Sequence, residues 1–249
     1  MKKIILVLSL IGTLLSVSTG CGSDGDKKID PKDVVIKFKT NATYDLSNYF
    51  IPSIDQTNNY VHKNYTNDKG EKKYSNTPNE TTYSIINYET NNTTIKEYFD
   101  NNLDVTYTIQ NDKIRHLDNE DNSVINLPRY VDKGDYIIKK EYSFVESGIN
   151  FEYISICKVS NHINTKEINN KTYEDIIEVT CNSSSASLKG AKLNGVPYSY
   201  TIETTIQSLL AKNKSLIMET TESCTNVTVN TTTDKSCDKE VVEITTISN

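Results

Sequence analysis

Apolar and polar residues alternate in short runs along most of this chain. In residues 103–110, Leu103, Val105, Tyr107 and Ile109 point one way and Asp104, Thr106, Thr108 and Gln110 the other. Residues 135–145 repeat the pattern with Tyr136, Ile138, Tyr142 and Phe144, a face that Lys140 interrupts. Residues 196–206 place Val196, Tyr198, Tyr200, Ile202 and Ile206 together, and residues 241–247 form a last β-branched run. Period two predicts strands with one buried and one solvated face. A period of about 3.6 is not sustained anywhere in the mature chain. Residues 45–50 predict one helical turn, and residues 206–212 read as either a short helix or the end of a strand.

Turn residues punctuate these runs at 67–70, 89–92, 100–102, 111–112, 118–122 and 132–134. They are mostly Asn, Asp and Gly, which hydrogen-bond their own backbone or tolerate left-handed conformations. Such regular spacing predicts an antiparallel meander. The expected fold is therefore mainly β: one large curved sheet, open or half-barrel-like, with few or no helices beyond the N-terminal signal. Pro128 interrupts the meander and marks a possible subdivision.

The N-terminus has a different pattern. Lys2 and Lys3 precede an apolar stretch over residues 4–17, and small residues lead to Cys21. That order reads as a secretory signal. The run Ser18, Thr19, Gly20, Cys21 resembles the lipobox of bacterial lipoproteins, although an aliphatic residue is usual where Ser18 stands. The resemblance implies cleavage after residue 20 and lipid on Cys21. Gly22, rather than Asp, then favours the outer membrane, facing the periplasm or the surface. Residues 1–20 are the expected signal, 21–43 a lipidated flexible tether and 44–249 the β-rich domain. Residues 22–32 carry almost no apolar side chain and predict a flexible segment.

Lipid on Cys21 leaves Cys157, Cys181, Cys224 and Cys237. An even number in an exported chain points to disulfides, with three connectivities open. Local pattern favours Cys157–Cys181 and Cys224–Cys237. Each Cys of the first pair shares a face with mostly apolar residues of its own run, and a polar stretch over 161–171 connects the two. The second pair flanks a Thr- and Asn-rich stretch over 225–236. No Cys-x-x-Cys spacing suits zinc.

Composition narrows the function. The chain has 249 residues, of which 36% are hydrophobic, with no Trp, 5 Phe and 16 Tyr. Of 27 basic residues, the mature chain lacks Lys2 and Lys3, leaving 25 against 33 acidic residues and a net charge of −8. There are only two Arg, Arg115 and Arg129, and no basic stripe for nucleic acid. The tyrosines 107, 136, 153, 173, 198 and 200 are candidates for a shared concave face, since Tyr offers an apolar ring and a polar tip. Tyr also suits strands in any protein.

Three further stretches, residues 129–136, 170–179 and 200–218, resemble those of β-rich envelope lipoproteins. Such chains are similar to half-barrel periplasmic proteins that handle lipid or lipoprotein. The resemblance implies a fold more than an activity.

Catalytic patterns are scarce. His62, His116 and His162 lie far apart and read as exposed strand or loop residues. No nucleophile elbow or phosphate loop appears, and residues 183–187 read as a polar Ser-rich loop. The acidic run 118–122 fails the calcium-loop template, with Ser123 where Gly and Arg129 where Glu is required. Sequons at Asn41, Asn64, Asn79 and Asn226 follow from abundant Asn and Thr. The expectation is a lipid-anchored, non-enzymatic envelope protein with a binding or structural role and no cofactor. The alternative is a half-barrel that takes a lipid or other apolar ligand on its concave face.

Overall fold

The computed structural model describes residues 33–67, 72–91, 93–120, 122–146, 148–188 and 190–248. The signal, Cys21 and the tether up to residue 32 lie outside the described residues. In chain order the elements are β1 (Tyr44–Asp45), α1 (Ser47–Phe50), β2 (Gln56–Asn67), β3 (Glu80–Asn91), β4 (Thr94–Phe99), β5 (Asn102–Ile109), β6 (Lys113–Asp118) and β7 (Val124–Pro128). Then come β8 (Tyr130–Val131), β9 (Tyr136–Glu146), β10 (Ile149–Ile168), β11 (Lys171–Ser187), β12 (Lys192–Leu193), β13 (Val196–Ala211), β14 (Ser215–Val229) and β15 (Thr232–Ser248).

Twelve strands form one sheet in the spatial order β7-β6-β5-β4-β3-β2-β15-β14-β13-β11-β10-β9. The sheet curls until β7 approaches β9, a nearly closed antiparallel barrel with one unsealed seam. The expected mainly β, curved meander is the observed fold, and it curls further than a half-barrel. Pairing follows chain order on both sides of a single long-range ladder, β2 against β15. β4 to β7 have five to eight residues, whereas β10 to β15, β12 apart, have 15 to 20. The long strands therefore run on above the short ones as an open, curved wall.

The Asn-rich composition has a direct structural use. Asp100 and Asn101, and Asn169 and Asn170, have paired positive φ values of 46° and 68°, and 49° and 61°. Two consecutive left-handed residues make the turn whose twist matches a hairpin, and Asn and Asp accept it at low cost. Asn213 and Asn230 serve the same purpose singly.

Three stretches expected as connections are strand instead. β10 and β11 continue through 161–168 and 171–175 after a bulge between Val159 and Asn161. Ile168 and Tyr173 are buried there, although their neighbours in sequence are polar. β14 runs to Val229 and β15 starts at Thr232, where Thr228 and Thr233 pair through their hydroxyls at 2.9 Å. Residues 183–187 end β11, and Ser183 Oγ donates to Ser155 Oγ of the next strand at 2.8 Å. In each case the cross-strand partner supplies what the polar composition lacks. The ambiguous stretch 206–212 is the end of β13, and the expected helical turn is α1.

One end of the barrel is plugged. Leu46, Tyr49, Phe50 and Ile51 are buried around α1. Asn213 N donates to Asn48 O at 2.6 Å and Ser215 Oγ to Phe50 O at 2.9 Å. The tip of the β10–β11 hairpin reaches β15, where Asn169 Nδ2 donates to Ile244 O at 2.8 Å. Lys39 and Thr43, assigned above to the tether, meet β8 and the turn after it, Thr43 N donating to Asp132 Oδ1 at 2.9 Å. Lys39 bridges to Tyr130, and its Nζ lies 2.8 Å from Asp132 and 2.5 Å from Asp135. Pro128 ends β7 at the seam, and residues on both sides of it belong to the same sheet.

The outer wall carries ion pairs such as Lys63 with Glu243 at 2.6 Å and Lys72 with Glu222 at 3.4 Å. It differs from the apolar outer band of a membrane-spanning barrel. No helix among the described residues is long and apolar enough to cross a membrane.

Candidate functional site in the barrel interior

Residues opposite each other across adjacent strands share a face, so the ladder registers sort the interior into layers. The lowest layers are packed: Tyr60, Ile86, Ile95, Val105, Tyr107, Ile177, Leu210 and Leu216 are all buried. Above them a row runs Val159, Val179, Ser208, Glu219, Val242, His62. The next is Ile138, Cys157, Cys181, Ile206, Thr221, Glu240. Then come Lys140, Ser155, Ser183, Thr204, Ser223 and Asp238. The Tyr142 and Tyr153 row and the Phe144 and Phe151 row follow. The interior thus passes from packed apolar floor to polar belt to aromatic mouth.

The aromatic mouth is continuous. Tyr142 and Tyr153 lie 4.9 Å apart between ring centroids, and Phe144 stacks on Phe151 at 5.2 Å. Phe151 meets Tyr200 edge-on at 5.7 Å, and Tyr200 stacks on Tyr198 at 6.3 Å. Phe151 and Tyr153 are buried, while Tyr142, Phe144, Tyr198 and Tyr200 keep part of their surface. The belt below is hydroxyl-rich, with Thr204 Oγ1 3.3 Å from Ser223 Oγ and Tyr153 OH 3.5 Å from Ser183 Oγ.

Of the tyrosines predicted to share a concave face, Tyr153, Tyr198 and Tyr200 meet at this mouth. Tyr107 lies on the same face but in the packed floor, where Tyr107 OH reaches Glu97 Oε2 at 3.3 Å. Tyr173 is buried in the bent part of β11, below the bulge. Tyr136 starts β9 beside the irregularity between Cys157 and Lys158.

His62 is the centre of a relay. Its Nδ1 lies 2.9 Å from Glu240 Oε1 on β15, and its Nε2 lies 2.8 Å from Ser84 Oγ on β3. An Nδ1–H donated to the carboxylate leaves Nε2 to accept the Ser84 hydroxyl. The ring and Ser84 are both buried, at 3% and 7% exposure. The residues are 22 and 178 positions apart, so no local motif could reveal them. The reading of the three histidines as exposed is corrected here. His62 and His116 are buried on the inner face, His62 between the Glu240 carboxylate and the Ser84 hydroxyl and His116 edge-on to Tyr107 at 5.3 Å between ring centroids. His162 is half-buried at the floor, stacked on Tyr44.

Two inner carboxyl groups titrate abnormally. Burial pushes Glu219 up to about 8, with the charge of Glu240 adding to it and a 2.7 Å bond from Ser208 Oγ only partly opposing it. Burial also pushes Glu97 up to about 8, helped by Asp104. Glu97 retains some surface, but its side chain is on the inner face opposite Tyr88 and Val105. The interior, not bulk water, therefore sets its titration.

The cysteines meet as the local pattern favoured. Cys157 faces Cys181 across β10 and β11, and Cys224 faces Cys237 across β14 and β15, each with Cα atoms 4.0 Å apart at disulfide-bonding distance. The first pair belongs to the interior. The second lies on the outer face under the β2–β3 connection, where Lys239 Nζ sits 5.8 Å from the centre of the Tyr74 ring. Cys21 lies outside the described residues. Among the described residues no group of three His, Cys, Asp or Glu side chains is arranged to hold a metal ion. The run 118–122 begins inside the barrel, with Asp118 Oδ1 accepting Glu120 N at 2.8 Å.

No protein-family model, curated protein or solved structure matches this chain.

Proposed function

We propose that this protein is a lipid-anchored envelope protein whose barrel binds an amphiphile. Lipid on Cys21 would fix it to the outer membrane, and the apolar part of the ligand would lie along the aromatic mouth. The ligand's polar part would meet the hydroxyl belt and Lys140. The observation that supports this reading is the stacked aromatic series Phe144, Phe151, Tyr200 and Tyr198 on the inner face above a ring of Ser and Thr. A packed structural sheet has no use for half-buried rings above a polar layer, whereas a binding cleft has apolar walls and a few directed polar groups.

The test is extraction of the intact lipidated protein, native mass spectrometry for bound lipid, and titration with a fluorescent fatty acid. Bound lipid and saturable titration are expected. Tyr200→Asp should weaken the titration at least tenfold without moving the thermal transition. A stoichiometric protein partner with no lipid, or unchanged affinity in a folded Tyr200→Asp variant, would overturn the reading.

A further inference from the structure

The relay Glu240, His62, Ser84 has the order and spacing of a nucleophile held by a base that a carboxylate orients. We propose that Ser84 is an acylation nucleophile acting on an ester of the amphiphile held in the barrel. This rests on the binding reading above and adds a reaction to it. In it His62 is the general base and Glu240 a positioning residue.

Three features support this beyond the two hydrogen bonds. The first is access. β4 reaches only to Phe99, opposite Ile86, and Asp100 N donates to Ile85 O at 3.1 Å. Past that point the described residues give β3 a neighbour only in β2. Ser84, 7% exposed, is the first inward residue beyond the end of β4, so its Oγ lies beside the uncovered edge of β3, along which a substrate carbonyl would have to enter. The second is a donor. Ile85 turns its carbonyl toward β4, so by strand alternation Tyr83 turns its N–H to the same open side. An N–H beside the nucleophile is the group an ester oxygen needs as it becomes an oxyanion. The third is charge. Glu219 lies in the row of His62, and burial keeps its carboxyl protonated at neutral pH. A second full negative charge therefore does not compete with Glu240 for the ring.

The distance to the mouth suits an acyl chain. The Tyr153 row lies six residues up β10 from the Val159 row, which holds His62. At about 3.3 Å per residue that is roughly 20 Å. Ser84 Oγ forms a bond to the ester carbonyl carbon while its proton passes to His62 Nε2. The bond from that carbon to the alcohol oxygen breaks, and the oxygen leaves with the proton. Water then gives a proton to the same nitrogen and attacks the acyl carbon. Ser84 departs, regains the proton, and a carboxylic acid is released. The sum is ester plus water to acid plus alcohol, with no change of oxidation state.

The test uses the full mature chain, an alkyl fluorophosphonate and the p-nitrophenyl ester of a medium-chain fatty acid. Peptide mass spectrometry should find the phosphonyl adduct on Ser84, with fluoride as the leaving group. Ser84→Ala should abolish labelling and ester turnover while keeping its thermal transition. Glu240→Gln, which keeps size and a hydrogen bond, should slow both by on the order of 10³–10⁴-fold, as loss of the orienting carboxylate does elsewhere. The pH profile of labelling should rise with deprotonation of a group that His62→Gln removes. A folded protein with no adduct on Ser84, or equal labelling rates in wild type and Glu240→Gln, would overturn the proposal. Fatty-acid titration run in parallel separates the two readings. Binding without an adduct leaves the binding role and removes the reaction, whereas an adduct without fatty-acid binding does the reverse.

Discussion

Asp175 ties three parts of the barrel floor through one side chain. It has a positive φ of 49° within β11, an uncommon conformation for a residue with a Cβ. Its Oδ1 accepts Tyr49 OH at 2.7 Å and His162 Nε2 at 2.9 Å, and its Oδ2 accepts Lys212 Nζ at 2.7 Å. Burial alone would push its carboxyl up, but Lys212, His162 and Tyr49 together hold it down at about 2. Glu219 is the opposite case, pushed up to about 8. A depressed carboxyl contributes stability that is present above its unfolded value and lost as pH falls through the folded one. A raised carboxyl contributes stability that is complete below its unfolded value and lost as pH rises through the folded one. Asp175 therefore weakens the fold between about pH 4 and 2, and Glu219 and Glu97 weaken it between about pH 4.5 and 8. Thermal stability should peak near pH 4.5–5 and decline toward pH 8. Glu219→Gln should flatten the alkaline limb and stabilise at pH 8 by on the order of 1–3 kcal/mol. Melting curves at fixed ionic strength check this, and a wild-type transition that climbs from pH 5 to 8 would contradict it. None of these residues was legible in the sequence. Asp175 and Glu219 look like ordinary solvated acids until partners 11 to 126 positions away arrive.

Strand faces were legible, and hairpin lengths were not. Alternation in residues 103–110 correctly paired Val105 with Tyr107 as inward residues, because burial on one face leaves period two in the composition. The tip of β10–β11 was not legible. Its polar residues are held by pairing with each other and by the floor, neither of which local composition reports. Cysteine placement followed from faces, since Cys157 and Cys181 each share a strand face with mostly apolar residues, Tyr153, Phe151 and Ile149 behind Cys157 and Val179 and Ile177 behind Cys181. Both pairs join directly opposite residues of neighbouring strands, with loops of 24 and 13 positions. Closing loops of that size removes denatured-state entropy worth about 3 kcal/mol each. Thiol labelling of the unfolded, unreduced protein should find no free thiol among these four. Replacing Cys157 and Cys181 together by Ala should lower unfolding free energy by about 3 kcal/mol, with added loss from the interior volume removed. Four labelled thiols, or a double variant as stable as wild type, would contradict this.

At the scale of the whole molecule the decisive contact is β2 against β15. Pro128 stands at a plausible division in the sequence, but the fold does not divide there. The N-terminal half supplies β2 to β7 and the C-terminal half β9 to β15, and they share one sheet. β2 and β15 pair from Asn67 with Cys237 down to Thr57 with Ser248. Inward residues of that ladder include Tyr60, His62, Val242 and Ile244, all nearly free of solvent. Separating the halves would strip these side chains and leave two long unpaired edges, a template for aggregation. The floor would also be divided, since Tyr49 bonds Asp175 and Leu46 N bonds Arg129 O at 2.7 Å. Fragments 33–128 and 129–249, made separately, should therefore lack a cooperative thermal transition and remain aggregation-prone. Mixing them from denaturant should restore one transition and native circular dichroism. The relay gives a second readout, because Ser84 and His62 come from one fragment and Glu240 from the other. Cooperative unfolding of either fragment alone would show that the chain holds two domains, and that the seam between β7 and β9 is matched by a second boundary at β2 and β15. Failure of the mixture to regain the native spectrum would show instead that the barrel forms only when both halves lie on one continuous chain.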